Sequence, residues 1–153
     1  MTKILDCTLR DGGHINNWNF SDICVRETLR ACENSAVEYF EAGYNMPQCI
    51  KKSNVKLVIM VDAKNICSVS KNADCVRLAC YPHQISEALD ALEEYKNQGF
   101  EVFLHLMTAD KFEDYERLKN WKNKDILTSI YFADSFGAFM PVDVERIYKK
   151  LQI

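Results

Sequence analysis

Six short apolar runs, rich in β-branched and aromatic residues, recur along the chain at positions 3–7, 37–42, 55–61, 75–80, 100–107 and 129–133. Runs of this length and composition predict strands. They are continuously apolar instead of alternating with polar residues, which is the pattern of parallel strands covered on both faces. Helical periods lie between most of them. Ser21 is a good N-cap for a helix that carries Ile23, Val25, Leu29 and Cys32 toward a core. A stronger pattern runs from about Pro82 to Gln98, with Ile85, Ala88, Leu89, Leu92 and Tyr95 on one face and Gly99 as its stop. Phe112, Tyr115 and Leu118 mark a third helix. The last opens near Pro141 and takes Val144, Ile147, Tyr148 and Leu151 as its buried stripe. Strand and helix therefore alternate, and an α/β fold on a parallel sheet is expected.

The alternation breaks between Gly43 and Asn54, where no helical period appears and a helix is missing or very short. A complete (β/α)8 barrel takes about 250 residues and eight strands, whereas this chain has 153 residues and six predicted strands. The expected architecture is a single, apparently truncated domain over 1–153: a partial TIM barrel of about six parallel strands with the last two missing.

Composition narrows the function classes. Apolar types make up 48% and charged types 27%, the balance of a folded protein. No apolar run approaches the roughly 18 residues that cross a bilayer, and positions 1–6 lack the apolar stretch of a signal peptide, so a cytoplasmic location without membrane association is expected. Net charge is -3, with acids and bases mixed and no basic block, which argues against nucleic acid as a partner. The seven cysteines include no C-x-x-C pair and read as reduced core thiols.

Each predicted strand carries polar residues at or just past its carboxyl end: Arg10 and Asp11, Glu41, Asp62, Arg77 within the fourth, His105 in the fifth, and Asp134 with Ser135 after the sixth. In parallel α/β folds, loops converge at that edge and ligands bind there. Positions 5–14, Leu-Asp-Cys-Thr-Leu-Arg-Asp-Gly-Gly-His, place a guanidinium, a carboxylate and an imidazole within five residues beside a double glycine. Read as a flexible loop, the segment suits a carboxylate approaching a divalent cation, an arginine on a substrate carboxylate or developing enolate, and His14 as general base. A turn whose Arg10 and Asp11 pair with local charges fits the same residues. His83, after Tyr81-Pro82, reads as a surface or capping residue, and Trp18 and Phe20 as packing for the first loop. Glu93-Glu94 and Lys149-Lys150 read as solvated helix faces.

The string from Asp6 through Cys7-Thr8-Leu9-Arg10-Asp11-Gly12-Gly13 to His14 resembles the opening signature of the TIM-barrel metal-dependent aldolases and lyases. That superfamily includes 4-hydroxy-2-oxovalerate aldolase, 3-hydroxy-3-methylglutaryl-CoA lyase and the isopropylmalate and homocitrate synthases. Positions 39–44, 58–62, 76–79 and 131–137 resemble its second, third, fourth and sixth strands in order, nearest to the 4-hydroxy-2-oxovalerate aldolase-like group. The resemblance implies that Asp11 is a metal ligand, that Arg10 stabilises the enolate oxygen of bound pyruvate, and that His14 is the catalytic base. It places Ser135 near the substrate carboxylate and Glu41, Arg77 and Asp134 in a supporting shell. His105, in an apolar strand, either touches substrate or is a satisfied core histidine.

The same resemblance implies a divalent metal, Mn or Mg, in the full-length enzyme, and a His-x-His pair on a seventh strand. The three histidines here, His14, His83 and His105, form no such pair. The expected function is the amino-terminal part of an enzyme, a metal-dependent aldolase that cleaves a 4-hydroxy-2-oxo acid to pyruvate and an aldehyde. By itself this chain is expected to be inactive and to self-associate through exposed barrel edges. Two other readings are a non-catalytic binding module that keeps the substrate rim, and a synthase or lyase of the superfamily that uses an acyl-CoA.

Overall fold

A computed structural model describes residues 3–151. Its strands are β1 (Leu5–Asp6), β2 (Tyr39–Gly43), β3 (Lys56–Asp62), β4 (Cys75–Cys80), β5 (Glu101–Leu106) and β6 (Leu127–Phe132). They form one α/β sheet of six parallel strands in sequential order, β1-β2-β3-β4-β5-β6. Consecutive order with helical crossovers is how a (β/α)8 barrel is built. The six parallel strands make a partial (β/α)8 barrel, the α/β parallel-sheet fold that the apolar runs predict. By contacts the chain divides into two compact units, Met1–Val61 with Cys67–Arg77 and Asp62–Ile66 with Leu78–Ile153.

In the first unit, β1 pairs with β2 through Leu5↔Tyr39 and β2 with β3 through Tyr39↔Lys56, with an irregularity between Glu41 and Gly43. Helix α1 (Thr8–Asn16) follows β1 after one residue, and α2 (Asp22–Asn34) follows α1. The expectation of a flexible Gly-Gly loop is therefore corrected. Residues 8–16 are helical, opened by the Asp11 N–H donating to the Cys7 carbonyl at 2.8 Å and closed by Asn17 in the left-handed region. Ser21 caps α2, its Oγ accepting the Cys24 N–H at 3.2 Å. Val25, Leu29 and Cys32 are buried, but Ile23 is 68% exposed, contrary to expectation. Two residues apart on a helix means nearly opposite faces, so Ile23 and Val25 cannot both point inward.

In the second unit, β5 and β6 pair through Val102↔Leu127 to Leu106↔Phe132. Pro82–Gln84 form a 3-10 turn, so α3 (Ile85–Asn97) starts later than expected. Its predicted face, Ile85, Ala88, Leu89, Leu92 and Tyr95, is buried, and Gly99 at φ +98° ends the segment. Helix α4 (Tyr115–Asn120) opens at Asp114, whose carboxylate accepts the Arg117 N–H at 3.2 Å. Helix α5 (Pro141–Lys150) corrects the predicted stripe: among the described residues of the helix only Ile147 is buried, while Val144 and Tyr148 are exposed. Together with Ile130, Phe132 and Leu151 they border an apolar groove of about 320 Å³.

The connection from β2 to β3 has no helix, as expected, and the one from β3 to β4 holds only a 3-10 turn at Ala63–Asn65. Among the described residues no helix is long and apolar enough to cross a membrane.

Candidate active site

Glu41 lies in the middle of β2 with no exposed surface, an expensive place for a lone carboxylate. It is held by two guanidiniums from other elements. Arg77, in β4 and 3% exposed, donates from Nε to Oε1 at 2.7 Å and from Nη2 to Oε2 at 2.5 Å. Arg10, in the first turn of α1, donates from Nε to Oε2 at 3.0 Å. The Arg10 side chain is 17% exposed, and its Nη1 meets Asp11 Oδ1 at 2.9 Å, with Asp11 62% exposed.

Charge decides what this group can bind. Two cations share one buried anion, and the second carboxylate, on Asp11, stands mostly in water where its charge is screened. The enclosed trio is thus left with an excess of positive charge. Its accessible end is Arg10, whose Nη2 has no protein partner among the described residues. A guanidinium held in this way offers a fixed donor to a carboxylate or enolate oxygen.

Cys7, just before α1, receives an Arg77 Nη2–H at 3.6 Å. Burial first, then the negative charge of Glu41, pushes its thiol up to about 12, so it is a neutral thiol and no nucleophile. His14 sits in the last turn of α1, exposed, with its ring edge-on to Trp18 at 4.9 Å. Helical spacing sets it four residues from Arg10 and three from Asp11, on one face of α1. The helix thus gathers the three residues that a loop was expected to hold.

The remaining rim residues make these local contacts. Asp62 Oδ1 accepts the Lys64 N–H at 2.8 Å and caps the turn after β3. In the second unit His105 is half-buried in β5, opposite Tyr131 of β6, their rings 6.4 Å apart. Ser135 Oγ accepts the Thr108 N–H at 2.9 Å. The Asp134 carboxylate accepts the Ala138 and Phe139 N–H groups, both at 2.9 Å, and the Phe139 bond is the main reason its carboxyl lies below the ordinary value. His83 is exposed and stacks on Tyr81.

Among the described residues no three His, Cys, Asp or Glu side chains converge as a metal site. A hard divalent cation takes six or more oxygen ligands. Asp11, exposed and paired with Arg10, does not by itself make the donor set that the family resemblance implies.

No family model matches the sequence. The chain is 20% identical over 176 residues to oxaloacetate decarboxylase from Mycobacterium tuberculosis (strain ATCC 25618 / H37Rv), an alignment covering 97% of this chain and 52% of the relative. It spans about half the length of that curated relative. It is also similar to a crystal structure of "the N-terminal domain of a putative aldolase from Bacteroides vulgatus", with a TM-score of 0.82 and 29% identity over 98% of this chain and 60% of that one. The chain therefore has an aldolase/lyase-type fold.

Proposed function

We propose that this chain carries the enolate-holding part of a lyase that cleaves a 4-hydroxy-2-oxo acid to pyruvate and an aldehyde. The observation that carries the reading is the buried Glu41 that locks Arg10 at the carboxyl edge of the sheet with Arg77 behind it. In the proposed reaction a base takes the 4-hydroxyl proton and the C3–C4 bond breaks. The electron pair passes to the C2–C3 enolate, and a proton returned to C3 gives pyruvate. Arg10 stabilises the enolate oxygen as negative charge grows there, and His14 on the same helix face moves the hydroxyl proton. The resemblance adds a divalent Mn or Mg ion with Asp11 as ligand, Ser135 and His105 on the substrate, and Asp134 as support. No step is assigned to the metal, because the described donors do not assemble its site.

A second reading is a binding module that holds 2-oxo acids on the same Arg10 guanidinium without turning them over. Both readings require an anion on Arg10. Titration of the full chain with oxalate, a mimic of enolpyruvate, should release heat at one site, and Arg10→Met should abolish it; equal binding by the two proteins would sink both. Pyruvate release with added Mn²⁺, measured on a longer chain that restores the barrel, separates them. This chain alone is expected to show none, and turnover of about 1 per second or more would establish catalysis.

The exposed apolar groove between β6 and α5 supports self-association, since contiguous apolar surface and an edge strand both favour a partner. A second copy of the chain is the proposed occupant, and a cytoplasmic location belongs to the same reading.

A further inference from the structure

Trp18 has no place in the expected chemistry, yet its indole touches or bonds three parts of the site. We propose that Trp18 is a positioning residue that sets helix α1 against β2, and thereby sets Arg10 and His14. What those two residues then do rests on the functional reading above.

The glycines give the first observation. A Cβ on Gly13 would fall 2.1 Å from Trp18 Nε1, and one on Gly43 would fall 2.9 Å from its Cδ1. No side chain tolerates that distance, so the indole occupies the space left by two missing Cβ atoms, one on α1 and one at the end of β2. Gly43 lies at φ +127°, which also disfavours any other residue. The partners of the indole give the second observation. Its Nε1–H donates to the Arg10 carbonyl at 3.1 Å, its ring meets His14 edge-on at 4.9 Å, and Tyr44, just after β2, meets it edge-on at 5.1 Å.

The third observation is the backbone that delivers the ring. Asn17 and Trp18 both adopt positive φ, +54° and +56°, a region that a bulky residue occupies only when its surroundings demand it. Helix α1 and strand β2 are therefore joined twice: by Arg10 reaching Glu41, and by the indole seated between Gly13 and Gly43. The first join is the candidate chemistry. The second fixes the angle from which Arg10 arrives.

The test uses the full chain labelled with ¹⁵N, three single variants and one double variant. Gly13→Ala evicts the indole without deleting it, Trp18→Leu deletes it, and Trp18→Phe keeps a ring but removes the N–H. One readout is the Arg10 Nε–H signal, which the bond to Glu41 shelters from exchange. The His14 ring resonances are a second, and oxalate affinity is a third. Gly13→Ala and Trp18→Leu should each weaken or remove the Arg10 signal, move the His14 resonances and reduce oxalate affinity about tenfold. Because both act on one contact, the double variant should be no worse than either single one. Trp18→Phe should fall between these and the wild type.

Folded variants, as judged by circular dichroism, with an unchanged Arg10 signal and wild-type oxalate affinity would overturn the proposal. If Trp18→Leu does not fold, Gly13→Ala and Trp18→Phe decide it. If the wild type itself ignores oxalate, the functional reading fails, while the Arg10 signal still decides whether Trp18 positions the helix.

Discussion

Arg77 grips both oxygens of Glu41, Nε on Oε1 at 2.7 Å and Nη2 on Oε2 at 2.5 Å, with the two side chains 3% and 0% exposed. Removing one partner of a buried ion pair leaves the other charge stranded, which costs about 3–5 kcal/mol. Arg77→Met should lower stability by that order, read as a fall in the urea midpoint with little change in slope. A loss below about 1 kcal/mol, the range of exposed pairs, would show that the pair is not enclosed in solution.

The loop after β6 should respond to acid. Asp134 is held below its ordinary value of 3.8, chiefly by the Phe139 N–H. A carboxyl depressed on folding contributes stability that is fully present above the unfolded value and is lost as pH falls through the folded one. The amide signals of Ala138 and Phe139 should therefore stay constant from neutrality to about pH 4 and shift only below it. In Asp134→Asn both should sit at new positions and not move with acid. Movement in the wild type between pH 5 and 7 would contradict the assignment.

Thiol reactivity should divide the cysteines. Burial first, then the charges of Glu41 and Asp62 respectively, pushes Cys7 and Cys80 each up to about 12, whereas Cys24 and Cys67 are exposed. The thiolate is the reacting species. Iodoacetamide at pH 8 followed by mass spectrometry should label Cys24 and Cys67 first and reach Cys7 and Cys80 only after denaturation. Early alkylation of Cys7 would mean that the Glu41 cluster opens to solvent.

Association should run through α5. Val144 is 55% and Tyr148 67% exposed beside the apolar groove. Light scattering over the micromolar range should show a dimer or higher species, and Val144→Asp with Tyr148→Glu should return it to monomer. A wild type that stays monomeric throughout would reject the second copy as the groove's occupant.

Sheet and core could be read from local pattern because the signals are local. The run at 75–80 coincides with β4, and Ser21 caps α2, since composition and a hydroxyl beside an N–H act within a few residues. The predicted face of α3 is buried because period 3.6 is enough to define it. Local pattern failed where a distant partner decides. A double glycine signals a loop, yet residues 8–16 form a helix in which the missing Cβ of Gly13 makes room for an indole that also fills the gap at Gly43. In α5, period alone cannot tell which apolar positions have something to pack against, and Val144 and Tyr148 do not.

The candidate site divides in the same way. Sequence by itself determined which charged residue types stand in or just after the strands, including Arg10, Asp11, Glu41 and Arg77. Only the tertiary structure decided that Glu41, 31 residues from Arg10 and 36 from Arg77, binds both. The reason is that folding sets β4 and the first turn of α1 beside the middle of β2, so that residues far apart in sequence meet. In that buried setting the Glu41 carboxylate is paired by both guanidiniums, which a lone buried carboxylate would lack.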